Sequence, residues 1–226
     1  MCGRVVLPKT ESIIKELDLK YEGEPFPANI NIPPTLQVPL ITNTKPGTLQ
    51  YFTWSLIPSF SKTGKADFKM STFNATIERL EESNLWKPLL GKRHCVVITD
   101  GFYEWQYDDP IKKKGSHPHL IKAKNSRFTY MAGLWSAWAN KETGELIPSC
   151  TIITLPANSL MAKIHNTKGR MPAFLTPETS KIWLDQELPF QESRKALEPV
   201  DEDFLGTWPV KKVGDEEEYS MLIKIC

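Results

Sequence analysis

Four cysteines and four histidines are all that this chain offers a transition metal beyond carboxylates, and they are scattered. Cys2, Cys95, Cys150 and Cys226 form no C-x-x-C pair, and His94, His117, His119 and His165 complete no zinc spacing. No metal centre and no cofactor is expected. A disulfide framework is excluded in a reducing compartment, and Cys95 and Cys150, set in apolar runs, read as small buried hydrophobes. No apolar run is long enough to span a bilayer, and no charged-then-apolar leader opens the chain. A cytoplasmic protein with no membrane partner is expected. Charge of one sign is also lacking. The 28 Lys and Arg nearly cancel the 27 Asp and Glu, for a net charge of +1. That excludes a broad basic surface wrapped by long nucleic acid, though not a local groove. No repeat or low-complexity tract appears.

What remains is an ordinary globular composition. The 226 residues are 40% hydrophobic and 24% charged, enough to bury a full core. Eighteen prolines and twelve glycines favour loops over a helical bundle. Segments rich in Val, Ile, Thr and aromatics predict strands at Arg4–Leu7, Gln37–Ile41, Leu49–Leu56, Cys95–Thr99, Tyr103–Tyr107, His119–Ala123, Phe128–Trp135, Cys150–Leu155 and Met221–Ile225. Helices are predicted at Thr10–Leu17, Thr76–Ser83 and Asn158–Ile164, after the Thr176-Pro177 start signal, and as a short turn at Arg194–Leu197. Pro46-Gly47 and Lys112–Gly115 read as hairpin tips. With no domain boundary in view, the expectation is one α+β domain over residues 1–226. Its sheet should be curved, barrel-like and mainly antiparallel, with helices at the margins.

The most informative residues come first: Met1-Cys2-Gly3-Arg4. Removal of Met1 would leave Cys2 with a primary amine and a thiol on adjacent carbons, with free pKa values of about 7.7–8.0 and about 8.5. An amine attacks an aldehyde to give a Schiff base, and the thiol then closes a five-membered thiazolidine. No internal cysteine can do this. The opposing reading is an incidental residue in a frayed end.

Three further stretches carry chemistry. In Asp100-Gly101-Phe102-Tyr103-Glu104-Trp105, a turn pair leads into aromatics around an acid. Such an acid loses hydration, which suits general acid/base work, or it is a plain hairpin carboxylate. Ile164-His165-Asn166 precedes Lys168-Gly169-Arg170-Met171-Pro172. There His165 can exchange a proton or serve structure, and Arg170 can grip a phosphate. Asn74 either caps a helix or holds a ligand or the N-terminal amine. In the segment Trp54 to Phe60, core packing is the default for Trp54, while Phe60 in a Ser-rich loop is the natural wedge against a base.

These motifs, in this order, resemble the SRAP family, the SOS response-associated peptidase-like proteins. They are Met-Cys-Gly-Arg, Trp-x-Leu-Ile-Pro, Asn-Ala before a helical Glu, Asp-Gly-Phe-Tyr-Glu-Trp, and Ile-His followed by Arg-Met-Pro. The resemblance runs from Cys2 to about Val210. It implies a sensor of abasic sites in single-stranded DNA that forms a DNA–protein crosslink through Cys2 after Met1 removal. Cys2, Asn74, Glu104 and His165 then fall at active-site positions. Arg4, Trp54, Phe60, Lys168 and Arg170 are the candidate DNA contacts. AP-lyase activity, self-removal of Met1, a monomeric state and, for a bacterial source, nucleoid association are further expectations. Two departures stand out. Thr76 replaces the family's Arg in Asn-Ala-Arg, and the spacing from His165 to Arg170 is longer. Two rivals remain at this point: an N-terminal-nucleophile amidohydrolase or peptidase using Cys2, and a non-catalytic single-strand binder.

Overall fold

The computed structural model describes residues 2–65 and 71–222. The chain runs β1 (Val5–Leu7), α1 (Thr10–Leu17), β2 (Asn29–Ile32), β3 (Gln37–Thr42), β4 (Lys45–Trp54), β5 (Asn74–Thr76), β6 (His94–Thr99), β7 (Gly101–Asp109), β8 (Lys114–Ala123), β9 (Thr129–Ala139) and β10 (Leu146–Pro156). It continues through α2 (Ser159–Ile164), β11 (Arg170–Pro172), β12 (Phe174–Leu175), α3 (Pro177–Leu184), α4 (Phe190–Ser193), β13 (Leu205–Pro209) and α5 (Glu216–Leu222). Among the described residues no helix is long and apolar enough to cross a membrane.

Five strands close a ring. β10 pairs β4, β4 pairs β3, β3 pairs β6, β6 pairs β9, and β9 returns to β10. All these pairings are antiparallel except β10 with β4, where Ser149 and Cys150 lie beside Thr53 and Trp54. Closure removes the free edges that an open sheet would expose. β5 and β11 add to β10, and β12 adds to β9. A second, antiparallel sheet, β13-β8-β7-β1-β2, lies alongside. The curved, mainly antiparallel α+β architecture expected above is the one present.

Asp100-Gly101 is a bend that carries the chain from β6 in the ring to β7 in the second sheet, rather than a hairpin tip. Gly101 has φ +154°, and a Cβ there would lie 2.7 Å from the Ile121 carbonyl oxygen. Only glycine fits this backbone so close to β8.

Three local expectations are corrected. The stretch 76–83 forms no α-helix. Asn74, Ala75 and Thr76 pair in parallel with Ile152, Ile153 and Thr154, and only a single 3-10 turn, Ile77–Arg79, follows. Backbone pairing to a buried neighbour outweighs a weak helical pattern. The β3–β4 hairpin turns at Asn43-Thr44, and Pro46-Gly47 lies within β4. There the Asn43 N–H donates to the His94 carbonyl at 3.0 Å. The C-terminal stretch is helical through Leu222, because Asp215 accepts the Glu218 N–H at 2.9 Å and Glu216–Glu218 place acid on the first turn. The remainder of the predicted strand, 223–225, lies outside the described residues.

His94 shows how the ring is tied to α3. Its imidazole stacks on Trp183 with centroids 3.7 Å apart. Nδ1 donates to the Trp183 carbonyl at 2.8 Å, and Nε2 accepts the Gly91 N–H at 2.9 Å. Burial lowers its pKa to about 4. The unfolded chain, titrating near 6.5, therefore takes up this proton first as pH falls. His94 costs nothing above pH 6.5, and about 3 kcal/mol of stability is lost as pH drops towards 4. Urea melts at pH 7 and pH 4.5 should show this loss. His94→Gln, less stable overall, should shed that share of the pH dependence.

Candidate functional site

Cys2, the first described residue, lies inside the fold. Cys2 is completely buried, and its carbonyl accepts a 2.8 Å hydrogen bond from Asn74 Nδ2. Asn74 is placed by the β5–β10 pairing and is itself buried. Its Oδ1 is enclosed with no partner, a costly arrangement that leaves one strong acceptor aimed at whatever comes close.

Glu104 is buried on β7, on the strand face shared with Phe102. Its Oε1 accepts the Trp105 N–H at 3.3 Å, and its Oε2 lies 3.9 Å from His165 Nδ1. His165 follows α2 immediately. That helix starts cleanly because Asn158 Oδ1 accepts the Met161 N–H at 2.9 Å. His165 Nδ1 lies 2.8 Å from the Arg170 carbonyl and 3.3 Å from the Arg170 N–H. The shorter contact requires Nδ1 to carry the proton, so in the neutral ring Nε2 holds the lone pair.

Electrostatics couple Glu104 to both Cys2 and His165. Burial, reinforced by the Glu104 carboxylate, pushes the Cys2 thiol well above its ordinary range. Burial also lowers the pKa of His165, outweighing the opposite pull of Glu104. Near neutral pH the site thus holds a protonated thiol and a neutral imidazole. Such a set can take a proton from an attacking group and return it to a leaving one. Among the described residues no three His, Cys, Asp or Glu side chains converge as a metal site would require.

The five expected DNA contacts divide. Trp54 is a correction: it is fully buried, its Nε1 donates to the Phe73 carbonyl at 2.8 Å, and its ring meets Phe73 edge-on. With no face open, it cannot stack on a base. Phe60 is 62% exposed and lines a cavity of about 700 Å³ together with Lys62, Trp138 and Lys141. Lys168 is exposed beside Gly169, whose φ is +55°. Arg4 is half-buried, and its carbonyl accepts the Tyr103 N–H at 2.9 Å. Arg170 is already engaged, with Nη1 on Glu78 at 2.6 Å and Nη2 on the Thr154 carbonyl at 2.6 Å. That bond holds the Glu78 carboxyl below its ordinary range. A phosphate on Arg170 would have to compete with Glu78, a partner the sequence did not reveal because the two are 92 residues apart.

Comparison with known proteins gives the family and the fold. Residues 1–215 match the model of SRAP, SOS response associated peptidase. The chain is 34% identical over 227 residues to abasic site processing protein YobE of Bacillus subtilis, covering 96% of this chain and 98% of that protein. It is 33% identical over 165 residues to abasic site processing protein HMCES of Xenopus tropicalis, covering 66% of this chain and 48% of that protein. A crystal structure of a Bacteroides thetaiotaomicron protein superposes with TM-score 0.82 at 25% identity, covering 95% of this chain and 97% of that one. With the family model matching residues 1–215 and a relative 34% identical along 96% of its length, this chain belongs to the SOS response associated peptidase family.

Proposed function

We propose that this protein captures abasic sites in single-stranded DNA as a covalent thiazolidine on Cys2, once Met1 has been removed. The observation that carries this reading is the burial of Cys2, with the Asn74 amide on its carbonyl and its thiol electrostatically coupled to Glu104, which lies 3.9 Å from His165. A residue meant to fray would have no such surroundings.

The ring-opened abasic sugar presents an aldehyde. The Cys2 amine adds to its carbon, and loss of water gives an imine. Glu104 moves the protons that this addition and dehydration require, and the neutral His165 Nε2 accepts from the sugar hydroxyl. Asn74 Oδ1, unmatched in the present structure, accepts from the amine and orients it. The thiol then adds across C=N. A sulfur–carbon bond forms, the thiol proton reaches nitrogen, and the thiazolidine ring closes. Because ring closure removes the imine, it protects the lesion from hydrolysis and from β-elimination. Where closure lags, loss of the C2′ proton from the imine cleaves the strand, which is the AP-lyase outcome.

Single-stranded DNA is the natural partner, because the reacting sugar must be reached outside a stack. Binding should rest on phosphates and fall with salt. Lys168→Gln should lower the slope of log affinity against log salt by about 0.7, measured by fluorescence anisotropy with an intact oligonucleotide. The decisive experiment mixes Met1-free protein with an abasic single-stranded oligonucleotide. A denaturing gel should show one shifted band, and intact mass should equal protein plus oligonucleotide minus one water. Release of ammonia from glutamine with no shifted band would replace this reading with the amidohydrolase one.

A further inference from the structure

Asn166, the residue after His165, binds a single residue of β7 through both ends of its carboxamide. The Tyr107 N–H donates to Oδ1 at 3.1 Å, and Nδ2 donates to the Tyr107 carbonyl at 2.7 Å. A neighbouring strand would make the same pair of bonds. Among the described residues no strand pairs with Tyr107 on that side, and Asn166 stands in its place. β1 covers the β7 edge only as far as Tyr103, whose N–H donates to the Arg4 carbonyl. Alternate residues turn their backbone groups to the same side. The next position on that side is Trp105, whose N–H is met by the Glu104 carboxylate, and the one after is Tyr107. The β7 edge that carries Glu104 is thus bracketed by Arg4 at one end and Asn166 at the other.

The clamp also joins the two acid/base groups. His165 is fixed on its loop side, with Nδ1 on the Arg170 carbonyl and with the Gly169 N–H donating to the His165 carbonyl at 2.9 Å. The Asn166 bonds fasten that loop to β7, three residues beyond Glu104. We propose that Asn166 is a positioning residue that sets the separation of His165 and Glu104, and through it the rate of abasic-site capture. This rests on the reading of Cys2, Glu104 and His165 given above. Asn166 itself touches no reacting atom.

The test is the single-turnover rate of adduct formation with excess Met1-free protein and an abasic oligonucleotide, using variants whose folding is verified by melting. Asn166→Ala should slow capture about 30-fold while affinity for an intact oligonucleotide changes less than about twofold, because small displacements of reacting groups cost rate rather than binding. Asn166→Asp supplies the readout that a merely structural role would not move. As a carboxylate it repels the Tyr107 carbonyl; protonated, it donates as the amide does. Its rate relative to wild type should therefore climb as pH falls from 6 to 4, the range in which a carboxylate takes up its proton. Glu104, His165, Asp108 and Lys168 are present in both proteins, so their titration cancels in the ratio to first order. A wild-type rate for Asn166→Ala, or a flat ratio for Asn166→Asp, overturns the positioning role. His165→Gln and Glu104→Gln run beside them separate the two levels. If they slow capture while the Asn166 variants do not, only this inference falls. If they too are silent, the catalytic reading falls and takes this inference with it.

Discussion

Met1-free Cys2→Ala should yield heat-stable adduct with an abasic oligonucleotide at least about 100-fold below wild type, yet give a shifted band when borohydride is present. The variant keeps an α-amine, so the imine still forms. It lacks the sulfur that would remove that imine, so water reverses it during denaturation. Reduction of C=N to an amine makes the same intermediate permanent. A factor of 100 corresponds to about 2.7 kcal/mol, modest for the difference between a closed ring and a hydrolysable double bond. Cys2→Ser should behave alike and cleave more of the strand, because its imine lives longer. Acetylation of the α-nitrogen should abolish both the heat-stable and the borohydride-trapped products. Quantitative densitometry of paired gels, with and without reductant, reads all of these. A heat-stable yield from Cys2→Ala equal to wild type would end the thiazolidine proposal.

Trp54→Ala should lose about 3–5 kcal/mol of folding stability, the range for deleting a buried aromatic side chain. The indole is fully enclosed, and its N–H donates to the Phe73 carbonyl, which also accepts the Ile152 N–H at 3.0 Å. Deleting it leaves a cavity and costs that carbonyl a donor. The residue after Phe73 is Asn74, which holds Cys2, so damage from Trp54 reaches the site through one peptide unit. Trp54→Phe, keeping a ring but not the donor, should cost about 1–2 kcal/mol. Urea unfolding followed by circular dichroism measures both. Affinity of the folded fraction for an intact oligonucleotide should stay within about twofold of wild type, as expected of a core residue. A tenfold loss of affinity in Trp54→Phe without loss of stability would restore the stacking role that its burial denies.

What could be read from the sequence follows from where each signal resides. The curved antiparallel sheet was legible because its strands carry apolar, β-branched and aromatic runs such as 95–99 and 150–155. Cys2, Asn74, Glu104 and His165 were legible as short motifs, and the fold joins Asn74 to the Cys2 carbonyl, sets Glu104 3.9 Å from His165 and couples Glu104 electrostatically to the Cys2 thiol. The parallel contact of Ser149 with Thr53 that closes the ring was not legible, because no local pattern records pairing across so many residues. Nor was the engagement of Arg170 by Glu78, which depends on the β5–β10 pairing that also replaced a predicted helix with a strand. Asn166 went unnoticed for a related reason: an asparagine after a histidine carries no signal until the strand it completes is known.

The wiring of β10 has a consequence for how the molecule is made. This one strand touches β4, β5, β9 and β11, and it spans Leu146–Pro156. A ribosome that has delivered only the first 145 residues has released strands whose ring has no keystone. Their edges stay open while the 11 residues of β10 are translated, on the order of one second at about 5–20 residues per second, and until that stretch leaves the ribosome. During that interval Asn74 is not yet fixed against β10 and does not yet hold the Cys2 carbonyl in place, so the Met1 removal on which the proposal depends should be easiest before β10 shuts the ring.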